Sequence, residues 1–180
     1  MNKYRLSDET RLWQWKNGET TRSVTLRQII ATVDFNDVTV GTKGGWVDDE
    51  RALAQDGDGW IYDENSVVFA GATVSDNARL TLPCVVSHHA RIGGNSWLDG
   101  AQVSHGAQIS DNVTIQHSSV RGECHIYGDA RVLHNSMVIA AKGLTPDHEQ
   151  ILKIYDKATV SRSHVVHQAQ IYGEIGRAHV

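Results

Sequence analysis

The sequence predicts an all-β fold in which short strands stack as the coils of a solenoid. Three observations support this. Aliphatic residues recur every six positions, a small residue stands two positions before nearly all of them, and Asn, Asp or Gly pairs precede the small residues. In residues 90–113, "ARIGGNSWLDGAQVSHGAQISDNV", Ile92 and Leu98 are six apart, as are Val103 and Ile109, whereas Leu98 and Val103 are five apart.

The aliphatic series continues without a break through Val68, Val74, Leu80, Val86, Ile92, Leu98, Val103, Ile109, Ile115, Val120, Ile126, Val132 and Val138. Its small partners begin at Ser66, Ala72, Ala78, Cys84 and Ala90 and end at Ser136, with Val113 the exception. Strand side chains alternate, so small–x–aliphatic puts both residues on one side of a short strand. The preceding pairs, among them Asp76-Asn77, Gly94-Asn95, Asp111-Asn112 and Gly128-Asp129, tolerate the left-handed backbone of a sharp corner. Strands of about four residues joined by such corners build flat-sided coils that pair at roughly 4.8 Å.

This pattern resembles the hexapeptide-repeat family over about residues 60–172, and "IGGNSWL" fits the family's order of aliphatic, Gly or Asp, two variable residues, small, variable. The resemblance implies a left-handed parallel β-helix with three sides per coil. On three sides the five-residue steps become regular: Leu98 to Val103 and Ile115 to Val120 lie 17 residues apart, at one tightened corner. The whole chain also resembles YdcK-type bacterial proteins, which are longer. That resemblance, and a closing "EIGRAHV" that reads like a translated sequencing adapter, implies that the native chain continues beyond residue 173 with further coils.

The phase is lost after Val138 in "IAAKGLTPDHEQILKIYD" and regained at Ile154, Ala158 and Val160, with Val160 to Val165 another five-residue step. Keeping five-residue steps on one corner predicts a projecting loop at 140–150. Its corner collects Ala70-Gly71, His88-His89, His105-Gly106, Gly122-Glu123, the loop with His148, and His167-Gln168. Long insertions in a regular solenoid are usually functional or disordered.

Residues 1–37 do not follow the repeat. Alternation around Asn17-Gly18 predicts a β-hairpin that caps the first coil. Residues 38–180 form the β-helix, opened by irregular coils anchored on Trp46 and Trp60.

A net charge of −4 without blocks of Lys or Arg gives no reason to expect nucleic acid or membrane as partner. The first residues lack a signal peptide's apolar run, and the two cysteines fit neither a disulfide scaffold nor a metal spacing. A cytoplasmic protein acting on a small molecule is expected.

The family resemblance implies an acyltransferase that takes acetyl or another acyl group from coenzyme A, with acyl-CoA as co-substrate, in a homo-oligomer, by resemblance a trimer. In such enzymes a corner or loop histidine removes the acceptor's proton, a task that suits a pKa near neutrality. By position, His148 and His167 are the expected catalytic residues, and His88, His89, His105 and Trp97 the expected substrate-binding ones. "SHHARIG" resembles a paired-histidine segment of some sugar acetyltransferases, although their proline-containing coil and terminal Ala-Gly-x-Pro run are missing. "DNVTIQHSSV" resembles "IQDGSV" of γ-type carbonic anhydrases, but Gly122 stands where a zinc-binding histidine is required, and no metal is expected. The competing class is a non-catalytic scaffold. The apolar outer side carrying Val67, Phe69, Val85, Met137 and Ile139 is the expected subunit interface.

Overall fold

The computed structural model describes residues 2–140, 151–167 and 169–173. Among these residues the strands form three sheets of nine, six and six strands, one sheet for each side of a triangular solenoid. The first sheet stacks Val67–Phe69, Val85–Ser87, Gln102–Ser104, Ser119–Arg121, Met137–Ile139 and His164–Val166 in parallel register. The second runs from Trp60–Ile61 to Thr159–Ser161, and the third from Thr73–Val74 to Gln170–Ile171.

The columns follow the sequence phase. Val68, Val86, Val103, Val120, Val138 and Val165 are fully buried one above another, as are Leu80, Leu98, Ile115, Val132 and Val160 on the second side. Small residues at the corners are buried beside them, and several of the serines bond between coils: Ser136 N donates to Ser118 Oγ and Ser163 N to Ser136 Oγ, whereas the buried Ser96 Oγ has no partner among the described residues. The tightened corner has a physical cause. It turns on a single left-handed residue, Gly100, His117 or Arg162, whereas the untightened step uses two, His134 and Asn135. Coils elsewhere repeat every 17 or 18 residues, and Ser136 to Ser163 takes 27. The predicted loop at 140–150 lies outside the described residues except for Ala140, whose N donates to the Arg121 carbonyl.

The N-terminal strands β1 (Tyr4–Asn17) and β2 (Thr20–Ala31) pair antiparallel, with Asn17 opposite Thr20. The loop is therefore Gly18-Glu19, one residue later than Asn17-Gly18, with Gly18 at φ +65° in the position where a II′ turn takes glycine. Strand β2 pairs antiparallel with β3 (Lys43–Val47), which in turn pairs parallel with the first coil and so covers its edge. At this end Tyr4 is buried against Trp60 and donates its hydroxyl to the Glu50 and Leu53 carbonyls.

The rest of the hairpin lies on the outer face of the first sheet. Leu26, Val67 and Phe69 are buried in one cluster, with Trp13, Trp15, Val24 and Val85 packed on it. This corrects the expected subunit interface. Val67, Phe69 and Val85 are covered by the chain's own hairpin, because a β-strand pair of this length reaches over two coils of the sheet it extends. Of the expected patch, only Met137 and Ile139 are exposed.

Candidate functional site

The corner between the first and third sheets is built from residues that rarely turn corners. Ala70, His88, His89, His105 and His167 all have left-handed backbones, at φ +55°, +52°, +65°, +59° and +70°. Histidine enters this region more readily than most residues, but glycine does so without strain. Gly71 has another reason to be glycine: a Cβ there would sit 2.5 Å from His89 Nδ1, so its absence lets the His89 ring lie against the coil below.

Parallel register places His88 and His105 in one column, since Ser87 pairs with Ser104 and Gly106 N donates to the His88 carbonyl. The coil spacing then becomes a ring spacing. The two imidazoles stack with centroids 4.6 Å apart and planes within 4°. Each ring is oriented by the serine before it, with Nδ1 2.8 Å from Oγ in both Ser87–His88 and Ser104–His105. In the tautomer that donates its Nδ1 proton to serine, Nε2 carries the lone pair that a general base requires. Both pKa values are lowered, first by burial, then by the Arg121 guanidinium, then by a histidine neighbour: His89 for His88, and His88 for His105. Two cations 4.6 Å apart would repel, so both rings are held toward the neutral form.

The stacked pair opens on two clefts. The first, about 660 Å³, follows the corner and is lined by His88, His89, His105, Arg121, Glu123, Ile139, Ala140 and two glycines. The second, about 410 Å³, lies between the hairpin tip and the outer face of the first sheet, with Trp15, Lys16 and Asn17 on one wall and Gln102, Ser104 and Arg121 on the other. Trp15 meets the His88 ring edge-on at 5.5 Å, and Phe69 does so at 5.7 Å. Both volumes lie in the range of small-molecule sites, roughly 300–1,000 Å³.

The sequence-predicted site residues separate into groups. His88, His89 and His105 come together. His167 shares the column, but Gly122 and Ala140 intervene, as the pairing of Ile139 with Val166 shows. Three coil steps at about 4.8 Å put it roughly 14 Å beyond His105. His148 lies outside the described residues. Trp97 belongs to the second sheet, where its Nε1 donates to Thr81 Oγ1 at 2.7 Å and the Arg79 guanidinium stands 5.6 Å above its ring. It therefore does not join the histidines. Among the described residues no group of three or more His, Cys, Asp or Glu side chains is placed to hold a metal ion.

Sequence reasoning passed over Arg121 and the orienting serines, and gave Glu123 only a place at this corner. A signal for the serines was present: "SH" recurs at Ser87-His88 and Ser104-His105 in the same phase. The hairpin wall had no such signal, because Trp15 and Lys16 reach the site only through tertiary packing.

Two comparisons with known proteins bear on this geometry. Residues 107–123 match the family model described as YdcK Beta solenoid repeat. The chain is 52% identical over 174 residues, 97% of its own length and 53% of the relative's, to a protein of Escherichia coli (strain K12) named "Uncharacterized acetyltransferase YdcK". It thus spans about half the length of the curated relative it matches. The chain carries a YdcK β-solenoid repeat and is similar to a YdcK protein along nearly all of its own length.

Proposed function

We propose that this protein is an acyltransferase that moves an acyl group from a coenzyme A thioester to a hydroxyl or amine of a small molecule, with His105 as the general base. The observation that carries the reading is the stacked, serine-oriented histidine pair, whose rings are held toward the neutral form at the junction of two small-molecule clefts. The relative's printed name, an acetyltransferase, points the same way.

In this reading His105 Nε2 takes the proton of the acceptor O–H or N–H. The acceptor's lone pair attacks the thioester carbonyl, the new C–O or C–N bond forms, the C–S bond breaks, and the imidazolium returns its proton to the departing thiolate. His88 stacks beneath His105 and fixes its plane. Arg121 supplies positive charge beside the carbonyl oxygen as it becomes an oxyanion. The rival assignment puts the base at His148 or His167. His105 is preferred because its Nδ1 has an orienting partner and its ring lines both clefts.

The test is a thermal-shift titration of the protein with acetyl-CoA and longer acyl-CoA donors, followed by acyl-transfer assays of His105→Gln, His148→Ala and His167→Ala. A raised melting temperature, with transfer lost only in His105→Gln, supports the proposal. No shift with any donor favours a non-catalytic scaffold, and loss of transfer in His148→Ala or His167→Ala alone moves the base there.

A further inference from the structure

We infer that the outer face of the third sheet carries a site for a guanine nucleoside, a slot in which the base stacks on Tyr127 between Arg91 and Asp111. The slot lies on a different surface from the histidine pair, and its occupancy does not require acyl transfer.

Register builds the slot. The outward residues that follow the buried aliphatics of this sheet form one column: Ser75, Gly93, Ser110, Tyr127, Tyr155 and Tyr172. Their amides from Ser75 to Tyr155 each donate to the carbonyl of the aliphatic residue one coil further on. The last three members are rings that stack, with centroids 5.1 Å and 5.3 Å apart and planes within 5° and 16°. The ladder stops at Tyr127, since the next places in the column belong to Ser110, Gly93 and Ser75. A cavity of about 440 Å³ lies over those three residues and ends on Tyr127. Coils are about 4.8 Å apart, so a flat ring over Ser110 would meet Tyr127 as Tyr155 does on its other side. A Cβ on Gly93 would come 3.0 Å from Asp76 Oδ2, so glycine keeps the floor beyond that ring low.

The rims of the slot select the ring. Val74, Ile92, Ile109 and Ile126 are buried, so by strand alternation Thr73, Arg91, Gln108 and His125, one position earlier, face outward in a second column. All four line the cavity. Asp111 lines its opposite rim, at the corner after Ser110, where Oδ2 accepts from Gly128 N at 2.9 Å. One rim thus offers a guanidinium, an amide and an imidazole, and the other a carboxylate, about 10 Å apart along the strand. Guanine meets both: O6 and N7 accept from an arginine fork, while N1–H and the N2 amino group donate to a carboxylate. Adenine brings only its single amino group to a carboxylate, and a one-ring base is too narrow to reach both rims. The tyrosine face accepts any base, so the rims supply the choice among them.

The experiment is equilibrium dialysis of the protein against guanosine, adenosine and cytidine in turn, with no acyl-CoA present. Guanosine is expected to bind saturably, with adenosine and cytidine each weaker by about tenfold or more. Tyr127→Leu removes the platform and should weaken guanosine by about tenfold or more. Ser110→Tyr puts the protein's own ring in the slot, in a column that already carries three tyrosines, and should abolish guanosine binding while the melting temperature holds. Arg91→Gln, on an exposed side chain, should bring guanosine down to the affinity of adenosine. No saturable guanosine binding, adenosine or cytidine binding as tightly, or undiminished guanosine binding in Ser110→Tyr would overturn the inference.

Discussion

Phe69→Ala tests whether the hairpin is seated on the sheet. The ring is 2% exposed and has Trp15 at 5.0 Å, His88 at 5.7 Å and Trp13 at 6.4 Å between centroids. Emptying a buried phenylalanine site costs about 3–5 kcal/mol. Each aromatic neighbour adds about 0.5–1.5 kcal/mol of pairing beyond area burial, which places this site toward the upper end. The effect should be local. The cluster of Leu26, Val67 and Phe69 is separate from the solenoid core, so the hairpin opens while the coils remain paired. Hydrogen exchange should therefore rise across residues 11–26 and stay unchanged in the coil strands, and urea unfolding followed by tryptophan fluorescence should gain an early phase. A loss below about 1 kcal/mol with unchanged exchange would refute the seating. Dissociation of an oligomer without hairpin opening would restore the subunit-interface reading of this face.

Three further outcomes follow from named contacts. The lowered pKa values of His88 and His105, and of His125 through burial and then Lys153, mean that the unfolded chain binds more protons than the folded one as pH falls below about 6.5. Stability is therefore full above that pH and declines below it. Melting temperature measured between pH 7.5 and 5.5 should fall, and should fall less in His88→Gln. Trp97→Phe loses the hydrogen bond to Thr81 and should cost about 1 kcal/mol in chemical denaturation, while leaving acyl transfer unchanged because the ring lies on another sheet. Burial pushes the Cys84 thiol up to about 11 and the Cys124 thiol up to about 12, so a thiol reagent at pH 8 should label neither until denaturant is added.

The coils were legible in the sequence because a solenoid repeats one local rule. Each small–x–aliphatic step is satisfied by its own strand and the next coil, so phase alone stacks Val68 on Val86 and Val103 on Val120. Counting five-residue steps was enough to put Val160 on the second side and to align His88 with His105. The hairpin's position was not legible. Alternation predicts a strand pair, yet nothing in "RLWQWKNGETTRSVTL" says which surface its tryptophans meet. The apolar Phe69 and Val85 therefore read as a subunit contact when their partner lies earlier in the same chain. The setting of Trp97 was not legible for a related reason: an exposed-side aromatic beside arginines gives no sign that a threonine on the neighbouring coil binds its N–H. The ring stacking of His88 on His105 lay between these cases, fixed by register but requiring the serine bonds to show which nitrogen faces outward.

Acyl transfer from coenzyme A at His105 is the central claim, and release of the coenzyme A thiol measures it most directly. Because neither cysteine should react in the folded protein, a thiol reagent reports only the coenzyme A product. The protein is mixed with acetyl-CoA and hydroxyl or amine acceptors, and compared with His105→Gln across pH 5.5 to 8.5. The account predicts acceptor-dependent thiol release that declines as pH falls through the histidine range, and a rate lower by about 10²–10⁴-fold in His105→Gln. Acceptor-dependent release that is equally fast in His105→Gln would contradict it, as would none with acetyl-CoA or any longer acyl-CoA.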